Sequence, residues 1–355
     1  MNQENNTPSI PEVGVAWSYG GDRDTYNSDQ NLLRVFRQFV QQFSIYFTAL
    51  IVASGIFGNT LSVIVFWRSR RKDKVTTSYL APIAVCDLIV LCIGFSGWLD
   101  QATFELSNGA FFIPEAYTDG HCKFRLFLFF ACGLMSAWFL VVFCTERCIA
   151  IRNPLKVTTI ITPARRRNLL IFVAIICVAV AALPLPFYIL VPSAGLSGGI
   201  ICIPSTSSTL KLVLVVTTTL VIYIILPIIS LVVLNALLLE GLSRPEDALD
   251  DAIKSGSAKK KIGRKIVRNL IIVSTVFIVT MLPFATVATL VYIGELTNWR
   301  NSSEQFRQFV IELSEVAFTF HYTNYGANYI VYVASLDFYR TECKRLFSCR
   351  ISGKT

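Results

Sequence analysis

Charge is what this sequence lacks most. Only 15% of its residues are Asp, Glu, Lys or Arg, against about 25% in a soluble domain. Hydrophobic residues make up 54%, more than one soluble core needs. Histidine is scarcer still. His121 and His321 stand far apart, and no nucleophile–base set forms around either, so no enzyme is expected. Ten cysteines occur, none at Cys-x-x-Cys spacing, which argues against a structural metal centre. Most of them lie in apolar runs, where cysteine packs as a small hydrophobe. The N-terminus has no apolar core behind a positive charge, so no cleavable signal peptide is expected. Internal repeats with matching broken helices, the mark of many transporters, are missing. So is a filter-like loop or charged ring of the kind a channel needs.

What is present is a set of long apolar runs. Seven segments of about 20 residues or more have little charge: 44–67, 79–99, 124–151, 169–191, 212–239, 270–293 and 309–334. A bilayer interior demands that each satisfy its own backbone, so each is predicted to be a helix. The fold expected is an all-α membrane protein, a seven-transmembrane helix bundle. The third and seventh runs are the least clean, because charges intrude near their ends.

The net charge of +9 might suggest nucleic acid. The basic residues, however, sit in short connectors beside apolar runs, so a membrane accounts for them and no nucleic-acid partner is expected. Of the Lys and Arg residues in connectors, 24 fall on one side of the seven runs and 6 on the other. The positive-inside rule then places the N-terminus outside and the C-terminus in the cytosol. The glycosylation patterns beginning at Asn5 and Asn301 fall on the outer side. Only Cys122 and Cys202 lie in or beside outer connectors, which makes them a disulfide candidate; two free thiols are the alternative.

Polar groups inside the runs need a reason, because a charge at the bilayer centre costs several kcal/mol. Asp87 lies about 12 Å into the second run at 1.5 Å per residue. The seventh run carries His321, Asn324, Asn328 and Tyr332 on one face. Ser136 shares a face of the third run with Arg147, 11 residues later. Asp87, Ser136, Asn324 and Asn328 together are an oxygen-rich group. It could hold a hard monovalent cation or form a plain interhelical hydrogen-bond network. Glu146-Arg147 ends the third run, where an arginine can snorkel, pair with its neighbour or receive a partner protein.

These residues resemble the rhodopsin-like, or class A, family of G-protein-coupled receptors, over about residues 44–347. Gly58-Asn59 looks like the first-helix signature, and Ala84-Val85-Cys86-Asp87-Leu88 like that of the second. Cys122 stands 25 residues before Arg147, the family's spacing. Glu146-Arg147-Cys148 resembles the Asp/Glu-Arg-Tyr motif, and Asn328-Tyr329-Ile330-Val331-Tyr332 resembles Asn-Pro-x-x-Tyr. Pro227, Phe277 and Pro283 match the fifth- and sixth-helix positions. Phe338 and Phe347 fit the short amphipathic cytosolic helix that follows the seventh span, with Cys343 and Cys349 as palmitoylation candidates. The organisation implied is an extracellular tail over 1–43, the receptor domain over 44–335 and the cytosolic helix and tail over 336–355.

The resemblance implies a plasma-membrane receptor. An agonist binds outside, and a heterotrimeric G protein docks beside Arg147. Glu146, Tyr332, Asn328, Phe277, Pro283 and Pro227 take part in the switch. It also implies a sodium ion as allosteric modulator at Asp87, Ser136, Asn324 and Asn328; no other cofactor is expected. Several positions depart from the family. The fourth helix has no Trp, Met281 stands where Trp is usual, and Tyr329 replaces the seventh-helix proline, which predicts a lesser kink. Asn235 replaces a common tyrosine, and Gly263 replaces the acid that locks the signature arginine in some members.

The seventh span has no lysine for a retinal Schiff base, and Phe129 stands where aminergic members place an acid. A peptide is therefore expected, with a lipid or other small non-amine ligand as the alternative. Outer aromatics and acids suit a short basic, aromatic peptide. Ligand-contact candidates are Asp100, Phe129, Met281, Glu315 and Phe318. The chain looks similar to invertebrate-type neuropeptide receptors of the FMRFamide-receptor kind, with Trp138 and Thr145-Glu146-Arg147 in support. The connector 240–269 starts acidic and ends basic, which suits anionic membrane lipids and a G protein. Arrestin, with few hydroxyls in the tail, is expected to use loop sites such as Ser255 and Ser257.

Overall fold

The computed structural model describes residues 23–69, 74–107, 118–153, 157–192, 200–204, 209–243, 257–297 and 304–351. Asn5, Asn301, Ser255 and the side chains of Asp100 and Cys349 lie outside the described residues. The chain divides into two units, Met1–Phe39 and Val40–Thr355. The second holds the helix bundle; of the first, only the beginning of one helix is described.

Helix α1 runs Arg23–Ser69, α2 Lys74–Leu106, α3 Asp119–Arg152 and α4 Pro163–Ala182. A single turn, Val157–Ile160, precedes α4. Helix α5 is composite: Thr209–Val216, a π-helical stretch Thr217–Ile225, then Leu226–Ser243. Helix α6 is Ser257–Leu296, α7 consists of Glu304–Gly326 and Asn328–Ser335, and α8 is Asp337–Ile351. Between α4 and α5, strands β1 (Tyr188–Pro192) and β2 (Ile200–Pro204) pair antiparallel, with Leu190 opposite Cys202. This hairpin was not expected: β1 takes the end of the fourth predicted run, 169–191, and β2 lies in the connector after it. Pro184 and Pro186 explain the shift: proline cannot continue a helix interior, so the fourth span runs Pro163–Phe187 instead of 169–191. Thr162 starts it as N-cap, accepting from the Arg165 N–H.

Among the described residues, six helices are long and apolar enough to cross a membrane. Helix α7 completes the seven; Glu304, Arg307, Glu312 and Glu315 in its first turns dilute its apolar character. The bundle has an apolar core, and its outer faces are apolar as well. Helix α4 buries Arg166, Cys177 and Ala181 and exposes Leu169, Phe172, Ile175 and Ile176. Helix α1 buries Ser44, Thr48, Asn59 and Ser62 and exposes Leu50, Phe57, Ile64 and Trp67. Lipid tails are as apolar as leucine, so polar side chains face other helices and act as interhelical links. Thr48 bonds Thr319 at 3.1 Å, Ser62 bonds Tyr339 at 2.9 Å, and Asn59 Nδ2 donates to the Tyr325 carbonyl at 2.9 Å.

Helices α1 and α7 approach closely because Gly55 faces Gly326 and Gly58 faces the Tyr329 ring. A Cβ on Gly58 would lie 2.0 Å from that ring. Tyr329 thus fills the notch that Gly58 leaves. Helix α7 is still interrupted at Ala327, without a proline. At that break Asn328 turns its amide to α2, and Asn59 serves the Tyr325 carbonyl.

The Cys122–Cys202 disulfide is formed, with the Cα atoms 6.0 Å apart. It ties β2 to the first turn of α3 and closes a loop of 80 residues. In the chain-entropy model, a loop of this size contributes roughly 4–5 kcal/mol.

Candidate functional site

Three groups of polar and aromatic side chains run along the bundle, from the Arg147 end to the disulfide end.

At the Arg147 end, Glu146 is 4% exposed. Its carboxylate accepts from Arg166 Nε at 2.8 Å and Arg166 Nη2 at 2.9 Å, from the Tyr79 hydroxyl at 2.6 Å, and from Arg147 Nη2 at 3.0 Å. Arg147 therefore has one bond to the acid. Its guanidinium also lies 5.5 Å from the centre of the Phe143 ring, and its Nε is buried without a partner. Tyr79 stacks on Phe143 at 4.7 Å. A buried carboxylate needs such a full set of donors, since desolvating it is expensive. Arg166 and Tyr79 were not among the expected site residues. The available signal was Thr162-Pro163 followed by Arg165-Arg166-Arg167, a capped helix start with arginine on three successive faces.

Helix α6 has no acid near Arg147, since Gly263 takes that place. It is held instead to α7 and α8. Asn269 Nδ2 donates to the Ser335 carbonyl at 2.9 Å, and Lys265 pairs with Asp337, which also receives Arg340. The Lys265 ammonium holds the Asp337 carboxyl below the usual carboxylate range. Toward α5, Ser274 Oγ donates to Asn235 Oδ1 at 2.6 Å. Phe277 is buried in the core, as is Tyr332, whose ring meets Phe66 edge-on at 5.4 Å.

Midway along, Asp87 is fully buried. Its Oδ1 accepts from Ser136 Oγ at 2.6 Å and its Oδ2 from Asn328 Nδ2 at 2.7 Å. The structure thus brings three of the four expected residues together. Asn324, on the other side of the Ala327 break, faces α6 and accepts from Thr280 Oγ1 at 3.5 Å.

Above this lies an aromatic and sulfur cluster around His321. Its Nε2 is 3.0 Å from the Tyr223 hydroxyl and 3.3 Å from that of Tyr325, and the two hydroxyls are 2.5 Å apart. Its Nδ1 is 3.1 Å from the Met281 sulfur. Phe284 stacks on the imidazole at 4.5 Å, Phe129 lies 5.5 Å away, and Phe318 packs on Phe284 at 4.9 Å. The expected contact residues Phe129, Met281 and Phe318 therefore converge on one histidine. Phe318 is 41% exposed and Met281 fully buried, so the cluster runs from a partly exposed ring to a buried sulfur. Glu315 stands half-buried one turn before Phe318.

Pro227 follows the π-helical stretch of α5. The Leu226 N–H bonds the Val221 carbonyl, and Pro227 has no N–H. The Ile222 carbonyl is thereby left to a side chain, and Trp138 Nε1 donates to it at 3.3 Å. Pro283 lies inside α6, two residues after Met281.

Comparison with known proteins agrees with this arrangement. Residues 58–332 match the 7 transmembrane receptor (rhodopsin family). The chain is 24% identical to the neuromedin U receptor homolog nmur-2 of Caenorhabditis elegans over 325 residues, covering 84% of this chain and 78% of that one. It is 26% identical to galanin receptor 2b of Danio rerio over 309 residues, 86% and 75% of the two chains. It is 27% identical to the human galanin receptor type 2 over 249 residues, 70% and 60%. With seven helices, the buried Asp87 and Glu146-Arg147 in register, the chain belongs to the rhodopsin family of seven-transmembrane, G-protein-coupled receptors.

Proposed function

We propose that this receptor answers a neuropeptide at its disulfide end and activates a heterotrimeric G protein at its Arg147 end. The observation that carries this reading is the cluster around His321, partly exposed at Phe318 and buried at Met281 and Tyr223. Its relatives include receptors named for neuromedin U and galanin. Phe129 at its wall gives an amine no counter-charge, and aromatic surfaces with Glu315 nearby suit a short peptide with aromatic and basic side chains, of the FMRFamide kind. The Lys and Arg asymmetry supports an Arg147 end in the cytosol and a disulfide end outside.

The mechanism is a population shift. An agonist favours the active packing only by binding it more tightly than the inactive one. Contact at Phe129 and Phe318 is relayed through His321 to Tyr223 on α5, Met281 on α6 and Tyr325 on α7. Helix α6 then leaves its ties at Asn269 and Lys265 and opens a surface beside Arg147. Asp87 and Ser136 supply buried oxygens of the type hard cations prefer, and Asn328 turns its amide nitrogen to the same carboxylate. When bound, sodium would supply positive charge that favours the inactive packing; Asn324, whose oxygen accepts from Thr280, would have to turn from α6 to join it. Arrestin contacts in the 240–269 connector and lipidation of Cys343 on α8 belong to the same reading.

The test is a screen of a neuropeptide library on cells carrying the receptor, read by second-messenger change. One or more amidated aromatic peptides should activate it, and Phe129→Ala should weaken them. Activation by lipids with no response to any peptide would contradict the peptide assignment.

A further inference from the structure

Gly133 on α3 leaves a notch that side chains of two other helices fill. A Cβ there would lie 2.5 Å from the Tyr223 hydroxyl and 2.9 Å from that of Tyr325. Across this notch Tyr223, on the π-helical stretch of α5, reaches Tyr325 and His321 on α7. None of the three side chains is exposed by more than 2%, so each polar proton needs an acceptor close at hand.

Counting protons fixes the tautomer of His321. Its Nε2 and the two hydroxyl oxygens form a triangle with sides of 2.5, 3.0 and 3.3 Å. Each hydroxyl brings one proton. If Nε2 accepts, one hydroxyl donates to the other, which donates to Nε2, and both protons are placed. If Nε2 carries a hydrogen, one hydroxyl proton has no acceptor in the triangle. On the other side of the ring, the Met281 sulfur stands 3.1 Å from Nδ1. A thioether accepts weakly and never donates. It therefore matches an Nδ1–H and opposes an Nδ1 lone pair. Both sides of the ring demand the same form.

We infer that His321 is the tautomer protonated at Nδ1, fixed by the Met281 sulfur, and that this imidazole is the joint through which α6 and α5 move together. When α6 carries Met281 away, Nδ1–H loses its acceptor, the ring turns, and Nε2 leaves the tyrosine pair. Tyr223 then loses part of its hold on α7, and the middle of α5 is released. Met281, Tyr223 and Gly133 are positioning residues, acting through the histidine. The signalling consequence rests on the G-protein reading above; the tautomer does not.

The chain has only two histidines, so His121→Gln leaves one. The full chain in this background, made with isotope-labelled histidine and purified without a histidine tag, is placed in phosphatidylcholine bilayers. Solid-state NMR of the ring carbons and nitrogens then distinguishes the tautomers. Nδ1–H alone is expected. Met281→Leu, which nearly conserves volume and removes the acceptor, should bring the Nε2–H form into view. Tyr223→Phe, which leaves Tyr325 to donate, should not. Nε2–H in the parent, or an unchanged spectrum in Met281→Leu, would overturn the assignment. The joint is tested by ligand-free nucleotide exchange on added G protein. Met281→Leu and Tyr223→Phe should each raise it about fivefold, the factor for a hydrogen bond of about 1 kcal/mol, and Gly133→Ala should match Tyr223→Phe. The double variant Met281→Leu/Tyr223→Phe should stay near fivefold, because both changes break one joint, whereas independent restraints would multiply to about twenty-five-fold. The same cycle read by melting temperature needs no G protein and should also be non-additive. Additive effects in melting would overturn the joint. Non-additive melting with no exchange in any variant would leave the joint standing and remove the G-protein reading.

Discussion

Arg166 holds Glu146 with two nitrogens, at 2.8 and 2.9 Å, whereas Arg147 reaches the same carboxylate with one, at 3.0 Å. The acid is thus anchored to α4, and the signature arginine is the lightly held member. Replacing Arg166 by Leu strands a buried carboxylate, which costs about 3–5 kcal/mol. Thermal unfolding in detergent should show a large drop in melting temperature for Arg166→Leu. Tyr79→Phe, which removes one donor and keeps the ring, should cost about 1–3 kcal/mol.

Helix α6 lacks the acid that would lock Arg147, and Asn269 supplies part of what replaces it through the Ser335 carbonyl. Asn269→Ala removes a hydrogen bond worth about 1 kcal/mol. If that bond exists only in the inactive packing, ligand-free signalling rises about fivefold, since 1.4 kcal/mol is a factor of ten. A second-messenger assay without agonist measures this; unchanged basal signalling would show that the tie does not restrain α6.

Trp138 stabilises α5 where Pro227 and the π-helical stretch leave the Ile222 carbonyl without a backbone donor. Trp138→Phe keeps an aromatic ring and loses the indole N–H. The expected cost is about 1–3 kcal/mol for an unsatisfied buried acceptor, seen as a lower melting temperature. Loss of stability no greater than for an exposed aromatic such as Phe172→Leu would remove this role.

Asp87 is the charged partner of the proposed sodium site. In Asp87→Asn, agonist affinity is expected to become independent of sodium, while the wild type loses affinity as sodium replaces a larger monovalent cation at constant ionic strength. Equal sodium dependence in both proteins would sink the assignment.

Much of this was legible in the sequence, for physical reasons. A bilayer forces long apolar helices, so the runs appear directly. A buried charge is expensive, so Asp87 and Arg147 stand out from their surroundings. Ser136 and Asn328 could be placed near Asp87 because helical spacing puts each on the appropriate face. Which neighbour a polar side chain selects was less visible. Asn324 shares the face of Asn328, yet the break at Ala327 leaves it with Thr280. The pairing of Arg166 with Glu146 joins helices α4 and α3, and no spacing within either one encodes it. The β1–β2 hairpin follows Pro184 and Pro186 and carries Cys202 of the disulfide, and the π-helical stretch ends just before Pro227; periodicity registers neither.

Arg147 is the proposed point at which the receptor acts on a G protein. The most direct measurement is guanine-nucleotide exchange on heterotrimeric G proteins added to membranes carrying the receptor, in the Asn269→Ala background that raises the ligand-free rate. Exchange should exceed that of empty membranes and fall to that level in Asn269→Ala/Arg147→Ala at equal receptor abundance. Exchange that persists undiminished after Arg147 is replaced would contradict this role.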